Sequence, residues 1–338
     1  MRAKHITIKD LSRILNVSVS TISRAFNDKS DIRKETRKLV LQKAMELGYR
    51  PNPMARNLQK QISKNIGIIV PELIGSFFPL VISGMEEVFS MKGYQMLILS
   101  SYESFEKELE RIKTLEDSMV DGIIISLSRE TKNVDVLNQL IQTGIPLVTF
   151  NRTNPDIKAP RIIFDDYKWA LLATEHLIIE GCNNIYHFAL PFHLSISKRR
   201  IEGFKKAMTK YCKHCNDLQI IESGISLEDG RKTMQILIEQ SIVPDGIFAS
   251  SDRLAIGAIQ VLKENGYKVP EDCRVMGFSE STLATIIEPQ LSTVTQPTKE
   301  MGKKTAEMMI RLLESEVALE PETIKLNGKI KVRQSTRV

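Results

Sequence analysis

Polar side chains that suit contact with nucleic-acid bases are concentrated in one short segment near the N-terminus. The spacing of apolar residues predicts a helix from Val19 to Phe26 that buries Ile22 and Phe26. A short helix with one apolar face and small hydrogen-bonding residues at its start fits the major groove of DNA. The polar residues left on the other face are Ser20, Thr21, Ser23, Arg24 and Asn27.

The segment before this helix predicts a first helix and a tight turn. Thr7-Ile8-Lys9-Asp10 is a capping box, in which a Thr hydroxyl and an acid three residues later satisfy the first amides of a helix. Apolar residues then recur at helical spacing at Leu11, Ile14 and Leu15. Asn16-Val17-Ser18 supplies the turn, and Ser18 can cap the next helix. The arrangement predicts a helix-turn-helix.

A third helix is predicted from about Lys34 to Leu47. Gly48 can end it in the left-handed conformation. Its apolar residues, which would close a three-helix core, are Leu39, Val40, Ala44 and Leu47.

The charge of the chain is concentrated in the same region. Residues 1–64 carry 15 Lys and Arg against 5 Asp and Glu, whereas residues 65–338 carry 32 against 36. A basic module on a mildly acidic body is typical of a nucleic-acid-binding protein. The alternative is a solvated basic helical bundle with no ligand.

Length and composition predict more than one domain. A chain of 338 residues exceeds the usual size of a single core. Apolar and charged contents of 42% and 26% are ordinary for a globular protein. No apolar run has the length of a membrane span, and the basic N-terminus lacks the apolar core of a signal peptide. We therefore expect a cytoplasmic protein with no membrane partner.

Cysteine and histidine spacing does not predict a metal site. Only Cys212 and Cys215 are closely spaced, and no second pair exists to complete a zinc site. His187 and His193 are the alternative ligands, but reduced thiols are the simpler interpretation. We expect neither a metal nor a cofactor.

Residues 51–64 are predicted to be a linker. Pro51 and Pro53 interrupt any continuation of the third helix. Residues 54–59, which include Ala55 and Leu58, can form one or two helical turns. A helix this short is marginal alone, so we expect it to form only against DNA or a symmetry mate.

From residue 65 onward, buried strands alternate with amphipathic helices. Continuous apolar runs such as Ile66–Val70 and Gly122–Ile125 are typical of parallel strands buried on both faces. Repeated alternation predicts doubly wound parallel sheets, here in two similar lobes. The carboxyl ends of such strands, facing a cleft between lobes, are the expected ligand site.

The whole chain resembles the LacI/GalR family of bacterial transcription regulators. The resemblance rests on Thr7–Leu11 and Asn16–Asn27 in the headpiece, Gly48–Leu58 in the hinge, and Asp245–Asp252 and Val332–Thr336 in the core. It implies a small all-α helix-turn-helix headpiece at 1–50, a hinge at 51–64 and an α/β core at 65–338 like periplasmic sugar-binding proteins. By this resemblance, lobe one covers about 65–160 plus 292–325, and lobe two about 161–291.

The resemblance also assigns roles in DNA binding. Val19 and Ser20 would face base edges, with Arg24 on the same helix. Leu58 would insert into the minor groove as an apolar wedge that kinks the duplex, alongside Ala55 of the hinge. The alternative for Leu58 is an ordinary apolar residue of a short helix. The residues that would position phosphates are Thr7, Ser18, Thr21, Ser23 and Asn27.

Effector contacts follow from the same resemblance. Phe77 and Phe78 would stack on a ligand, Asp165 would hydrogen-bond it, and Arg200 would be the charged anchor. Trp169 starts a helix facing the presumed cleft, and packing against a strand is its alternative. The remaining predicted contacts are Ser251, Asp252 and Ser279. For Asp252 the alternative is that it caps the helix that follows.

Two departures from the family pattern affect the ligand. Ser279, followed by Glu280, stands where an acidic residue is common, and Asn151-Arg152 replaces the usual Asp-Arg pair. We expect a carbohydrate or a related metabolite, with an acidic ligand or no ligand as alternatives.

A chain with these domains could belong to one of three classes of function. The chain lacks the motifs of an enzyme on a doubly wound fold, since Gly302-Lys303-Lys304-Thr305 has Pro at 297 in place of the upstream Gly of a phosphate loop, and no Gly-x-Ser-x-Gly is present. A solute-binding protein would have a signal peptide and no basic headpiece. We therefore expect a homodimeric, non-enzymatic regulator, most simply a repressor, that binds double-stranded operator DNA under the control of a small-molecule effector.

Overall fold

The computed structural model describes residues 6–26, 32–49, 62–211, 218–279, 281–317 and 319–337. The chain divides into two compact units, Met1–Ser63 and Lys64–Val338. Of the predicted site residues, Asn27, Ala55 and Leu58 lie outside the described residues, as does most of the predicted hinge.

The first unit contains helices α1 (Ile8–Leu15), α2 (Val19–Phe26) and α3 (Lys34–Glu46). The predicted capping box at Thr7 and Asp10 is present. The hydroxyl of Ser18 accepts a hydrogen bond from the amide of Thr21 at 3.0 Å and so caps α2. Asn16 takes a left-handed conformation with φ of 50°, which produces the sharp turn between α1 and α2.

A small apolar core holds these three helices together. Its buried members are Leu11, Ile22, Ala25, Val40 and Ala44, with Phe26 and Leu47 packed at the edge. The prediction for Leu39 was wrong, because its side chain is about half exposed, as is that of Ile14 on α1. Gly48, with φ of 64°, ends α3 as predicted.

The second unit contains two six-stranded sheets. The first has the order β11-β5-β4-β3-β1-β2 and the second β12-β10-β9-β8-β6-β7. The strands are β1 Asn65–Val70, β2 Gln95–Ser100, β3 Gly122–Ile125, β4 Leu147–Phe150, β5 Arg161–Phe164, β6 Ile185–Ala189, β7 Gln219–Glu222, β8 Gly246–Ala249, β9 Arg274–Phe278, β10 Ser292–Thr295, β11 Thr323–Leu326 and β12 Lys329–Lys331.

Among the residues that the structure describes, eight helices cover the faces of these sheets. Because both faces are covered, strands such as β3 and β8 are apolar along their length and fully buried. The helices are α4 Phe77–Met91, α5 Phe105–Asp117, α6 Asp135–Gln142, α7 Asp166–Ile179, α8 Ser195–Tyr211, α9 Leu227–Glu239, α10 Asp252–Glu264 and α11 Thr298–Glu314. In the described part of the chain, no helix is both long and apolar enough to span a membrane.

All strand pairs are parallel except β10 with β12. The first sheet with α4, α5, α6 and α11 forms lobe one, and the second with α7 to α10 forms lobe two. The predicted fold class, a helical headpiece with two parallel-sheet lobes, is confirmed.

The predicted boundaries between the lobes need two corrections. The strand β5 pairs with β4 and β11 in lobe one, although 161–291 was assigned to lobe two. The strand β10 pairs with β9 in lobe two, although 292–325 was assigned to lobe one. Both are short strands at a crossover, where hydrophobic pattern predicts a strand without indicating its sheet.

The chain crosses between the lobes three times, after β5, β10 and β11. These crossovers are packed closely together, since a Cβ on Gly328 would lie 2.2 Å from the carbonyl oxygen of Thr295 and 2.7 Å from the ring of Phe164. Three adjacent connections of this kind are typical of two-lobed folds in which one lobe bends toward the other about a hinge.

Candidate DNA-binding surface and ligand cleft

The exposed face of α2 carries most of the residues predicted to contact DNA. Ser18, Ser20 and Arg24 are exposed, and Val19 is 40% exposed although it is apolar. Ile22 on the opposite face is completely buried. The helix therefore presents a polar surface with one apolar residue at its start, as the sequence predicts.

Hydroxyl groups at the start of α2 are held in a cluster. The Ser18 hydroxyl lies 2.7 Å from that of Ser20 and 2.8 Å from that of Thr21. Thr21 and Ser23 are half-buried. Thr7 is exposed, but its hydroxyl donates to Asp10 at 2.7 Å, so its capping role in α1 is established whereas its role toward phosphate stays a prediction.

A cleft lies between the two lobes of the second unit. It encloses about 160 Å³ and is bounded by the loops that follow β1 and β4 in lobe one and β8 and β9 in lobe two. The carboxyl ends of strands from both sheets thus meet there, which is the ordinary position of a ligand site in such folds. The charged and amide residues on its wall are Glu72, Asn151, Arg152, Arg200, Asp252, Arg253 and Gln296.

Phe77, Phe78 and Ser279 line the cleft as predicted. The helix α4 begins at Phe77, so both rings lie on its first turn. Phe78 is nearly buried and packs edge-on against Phe77 and Phe150. Ser279 follows β9 with φ of 102°, an unusual conformation for a residue with a side chain.

Arg200 reaches the cleft but is already engaged by the protein. Its guanidinium donates to Asp166 at 2.7 and 2.8 Å, donates to the carbonyl oxygen of Ser250, and lies 3.7 Å from the centre of the Phe278 ring. Both members of the Arg200–Asp166 ion pair are almost inaccessible to solvent. Arg200 therefore joins α8 to α7 and β8. Its guanidinium is bonded within the protein before any ligand binds.

Ser251 and Asp252 also line the cleft, and their structural roles are now distinct. The hydroxyl of Ser251 caps α10 by accepting from the amide of Leu254, so Asp252 is not the cap that sequence left open. The Asp252 carboxylate accepts from the Thr293 hydroxyl at 2.6 Å and from the amide of Ser281 at 2.5 Å. Complete burial raises the pKa of Asp252 to about 6 despite these bonds.

Asp165 and Trp169 are not among the residues that line the cleft, which corrects the prediction for both. Asp165 caps α7, since its side chain accepts from the amide of Lys168, and lies 3.9 Å from Lys325. Trp169 stacks on Phe164 with 6.4 Å between ring centres, so its packing alternative is correct. Asp165 directly precedes α7 and Trp169 lies on its first turn, just after the crossover from β5.

Sequence reasoning missed two cleft residues that end in buried N–H groups. Arg152 donates to Glu103 through Nη1 at 2.8 Å, but among the described residues its Nε has no hydrogen-bond partner. Gln296 lies on the crossover between β10 and α11, and its Nε2 likewise lacks a partner in the described part of the chain. Their positions directly after strands β4 and β10 were the available signal.

A second pair of missed residues joins the lobes across the mouth of the cleft. Arg253 at the start of α10 contacts Glu72, which follows β1, at 2.8 Å. The same guanidinium donates to the carbonyl oxygen of Ile74 at 2.8 Å. On another edge, the ring of His193 in lobe two bonds the carbonyl oxygen of Arg129 in lobe one. These contacts join the two lobes directly.

The remaining histidine and cysteine candidates have structural surroundings. His187 is buried between the rings of Phe204 and Phe248, donates from Nδ1 to the carbonyl oxygen of Phe248, and has its pKa lowered to about 3 by burial. Burial raises the pKa of Cys182 to about 12 and that of Cys273 above its ordinary value. Cys212 and Cys215 lie outside the described residues. Within the described ranges, no three His, Cys, Asp or Glu are grouped to hold a metal.

Comparison with known proteins agrees with both parts of the chain. Residues 7–52 match the model of the bacterial regulatory proteins of the lacI family, and residues 174–336 match the periplasmic binding protein-like domain. The ribose operon repressor of Halalkalibacterium halodurans is 32% identical over 333 residues, which cover 98% of this chain and 97% of that protein.

Solved structures show the same fold. The lac repressor dimer bound to operator and an anti-inducer superposes with a TM-score of 0.86 at 22% identity, covering 99% of this chain and 100% of that chain. A LacI family transcriptional regulator from Enterococcus faecium with bound ribose gives a TM-score of 0.71 at 26% identity, covering 80% of this chain and 98% of that chain. The family inferred from sequence is thus confirmed along the whole chain, and the protein belongs to the LacI family of bacterial transcription regulators.

Proposed function

We propose that this regulator binds operator DNA through α2 of its headpiece and that a small molecule in the interlobe cleft controls its operator affinity. The observation that carries the proposal is the presence in one chain of an exposed polar recognition helix and a second unit with a cleft between two hinged lobes. A ligand that binds one lobe arrangement better than another shifts the balance between them, and this supplies the control.

The headpiece contacts divide into two kinds. Val19, Ser20 and Arg24 read base edges, while Thr7, Ser18, Thr21, Ser23 and Asn27 position the phosphates. Ala55 and Leu58 belong to the hinge, where Leu58 enters the minor groove as a wedge. Two headpieces in a homodimer would read half-sites about one helical turn apart.

The effector is a carbohydrate or a related metabolite bound by cleft residues. Support comes from the relatives, which include a ribose operon repressor and a regulator solved with ribose. In this chain the contacts are Phe77, Phe78, Ser251 and Ser279, with Arg200 and Asp252 shaping the wall. The protein acts in the cytoplasm as a repressor rather than as an enzyme, in keeping with a family of regulators.

A binding assay on promoter DNA tests the proposal. Fluorescence anisotropy with the DNA upstream of the protein's own gene, titrated with and without a panel of sugars and sugar derivatives, should show specific binding that at least one compound changes. Arg24→Ala should weaken that specific binding. Binding of operator and random DNA with equal affinity would overturn the regulator proposal, and an operator affinity unmoved by any compound would overturn the effector part.

A further inference from the structure

We propose that the interlobe cleft selects an anionic ligand, one that presents a carboxylate or a phosphate, over a neutral sugar. This inference rests on the proposed function, since it names the chemical class that the same cleft accepts. It follows from which hydrogen-bonding groups of the cleft wall are already used by the protein and which are left.

The carboxylates on the wall are occupied. Glu72 is held by Arg253 at 2.8 Å. Asp252 accepts from the hydroxyl of Thr293 and the amide of Ser281, and it is 2% exposed. A sugar hydroxyl needs an acceptor for its own proton, and carboxylates are the strongest acceptors that a protein offers.

Two cleft positions just after strands carry neutral residues. Asn151 follows β4 and Ser279 follows β9, and both line the cleft. An amide and a hydroxyl each offer a donor as well as an acceptor, and neither bears charge. The wall therefore has no free anionic acceptor among the residues that the structure describes.

Besides the Ser281 hydroxyl, which can donate or accept, the buried groups left unused on the wall are two N–H donors. Arg152 is 6% exposed and Gln296 is 5% exposed, and each keeps a buried N–H without a partner among the described residues: Nε of Arg152 and Nε2 of Gln296. A buried donor left unsatisfied is costly, and a hydrogen bond from a guanidinium to an anionic oxygen is among the strongest in proteins. A ligand rich in acceptor oxygens satisfies both groups.

The location of Gln296 connects this selection to the movement of the lobes. Gln296 belongs to the crossover between β10 and α11, whereas Arg152 lies in lobe one after β4. An anion that accepts from both residues links this crossover segment to lobe one. Its binding therefore favours the arrangement of the lobes that keeps the two donors together.

Matched probes test the proposal on the unaltered full-length protein. Isothermal titration with D-glucose, D-glucuronate and D-glucose 6-phosphate, and with D-ribose and D-ribose 5-phosphate, compares neutral and anionic forms of one ring size. We expect at least one anionic member to bind ten-fold or more tightly than its neutral counterpart. The carboxylate and phosphate arms show which source of anionic oxygen is preferred.

Two variants identify the residues responsible. Gln296→Met removes the amide donor at similar length, and Asn151→Asp places a carboxylate in the cleft at a backbone conformation that Asp tolerates. Each should weaken the anionic probe at least ten-fold, and Asn151→Asp should leave the neutral sugar unchanged or bound more tightly. Gln235→Met, on the exposed face of α9, is the matched control and should change nothing.

The outcomes separate the two proposals. Equal binding of neutral and anionic probes would overturn anion selection. So would tighter binding of a neutral sugar, and if Gln296→Met weakened that binding, the cleft would remain a ligand site. Anion binding that persists in both variants would place the anion elsewhere and overturn the inference. Failure of every probe to bind the unaltered protein would count against anion selection and against the effector part of the proposed function together.

Discussion

Arg253 and Glu72 form an ion pair between the lobes, with 2.8 Å between Nη2 and Oε1. A second bond of 3.1 Å joins Nη1 to Oε2, and the guanidinium also donates to the carbonyl oxygen of Ile74. The pair lies at the mouth of the cleft. Its position means that opening of the lobes must break it.

We expect Glu72→Gln to shift the ligand-free protein toward an open arrangement. A partly exposed ion pair contributes about 1 kcal/mol or less, so the ratio of open to closed molecules should rise roughly five-fold at most. Single-molecule energy transfer between labels on the two lobes measures this ratio. Glu264→Gln is the control, because it breaks an equally close bidentate pair with Arg231 inside lobe two. An identical distribution of open and closed molecules in the Glu72 variant and in the unaltered protein would show that the ion pair does not hold the lobes together.

Removal of Arg200 should destabilise lobe two rather than only weaken ligand binding. Arg200→Met leaves Asp166 buried without its counter-charge, at a cost of about 3–5 kcal/mol. The double variant Arg200→Met with Asp166→Leu should recover most of that loss, because no uncompensated charge remains. Urea unfolding followed by circular dichroism gives both values. If the single variant were as stable as the unaltered protein, the pair would have no structural role.

Stability should depend on pH through Glu108. This carboxyl is buried on α5 and accepts from the amide of Ser128 at 2.8 Å and the Thr131 hydroxyl at 2.7 Å. Burial raises its pKa from 4.5 to about 7, with a smaller contribution from nearby Glu103. The folded protein therefore holds a proton that the unfolded chain releases between these values, and stability from this group is lost as pH rises from 4.5 to 7.

Glu108→Gln should remove that loss. The difference in unfolding free energy between the unaltered protein and the variant should fall by up to about 3 kcal/mol between pH 4.5 and 7. Thermal or urea unfolding across this range is the measurement. Glu106→Gln, exposed on the same helix, should give a difference that does not vary with pH. A flat difference for the Glu108 variant as well would show that the carboxyl is not proton-bound when folded.

Arg24→Ala should reduce specific more than non-specific DNA binding. If Arg24 contacts a base edge, its removal costs about 1–3 kcal/mol on the operator and little on random DNA. Arg13→Ala removes the same charge from an exposed position on α1 and controls for charge alone. Ser18→Ala is a poorer probe, because the lost cap of α2 adds about 1 kcal/mol of instability. Equal losses on both DNAs would assign Arg24 to the phosphate contacts.

Local sequence signals predicted the elements well. The capping box at Thr7, the cap at Ser18 and the left-handed Gly48 are decided by residues within a few positions of one another. The same holds for β3, whose predicted bounds agree with the structure because a short, continuous apolar run fits few other conformations.

Long-range placement was harder to predict. Asp165 was expected in the cleft, but the start of α7 at residue 166 makes it a cap. Arg200 was expected to face a ligand, but Asp166, which is 34 residues away in sequence, engages it. Glu72 and Arg253 are separated by 181 residues, so only the packing of the two lobes shows that they meet. Sequence reports which strand ends carry polar groups, whereas tertiary packing decides which of them pair.

The positions of β11 and β12 in the sequence determine that the headpiece is completed before the second unit during synthesis. The core of the headpiece is built from residues before position 50, whereas each sheet of the second unit receives an edge strand from residues 323–331. At ordinary rates of translation these strands emerge roughly 15–55 s after the headpiece sequence is complete. The nascent chain thus completes its DNA-binding surface well before it completes its ligand-binding unit. A newly made headpiece therefore exists before a ligand can regulate it.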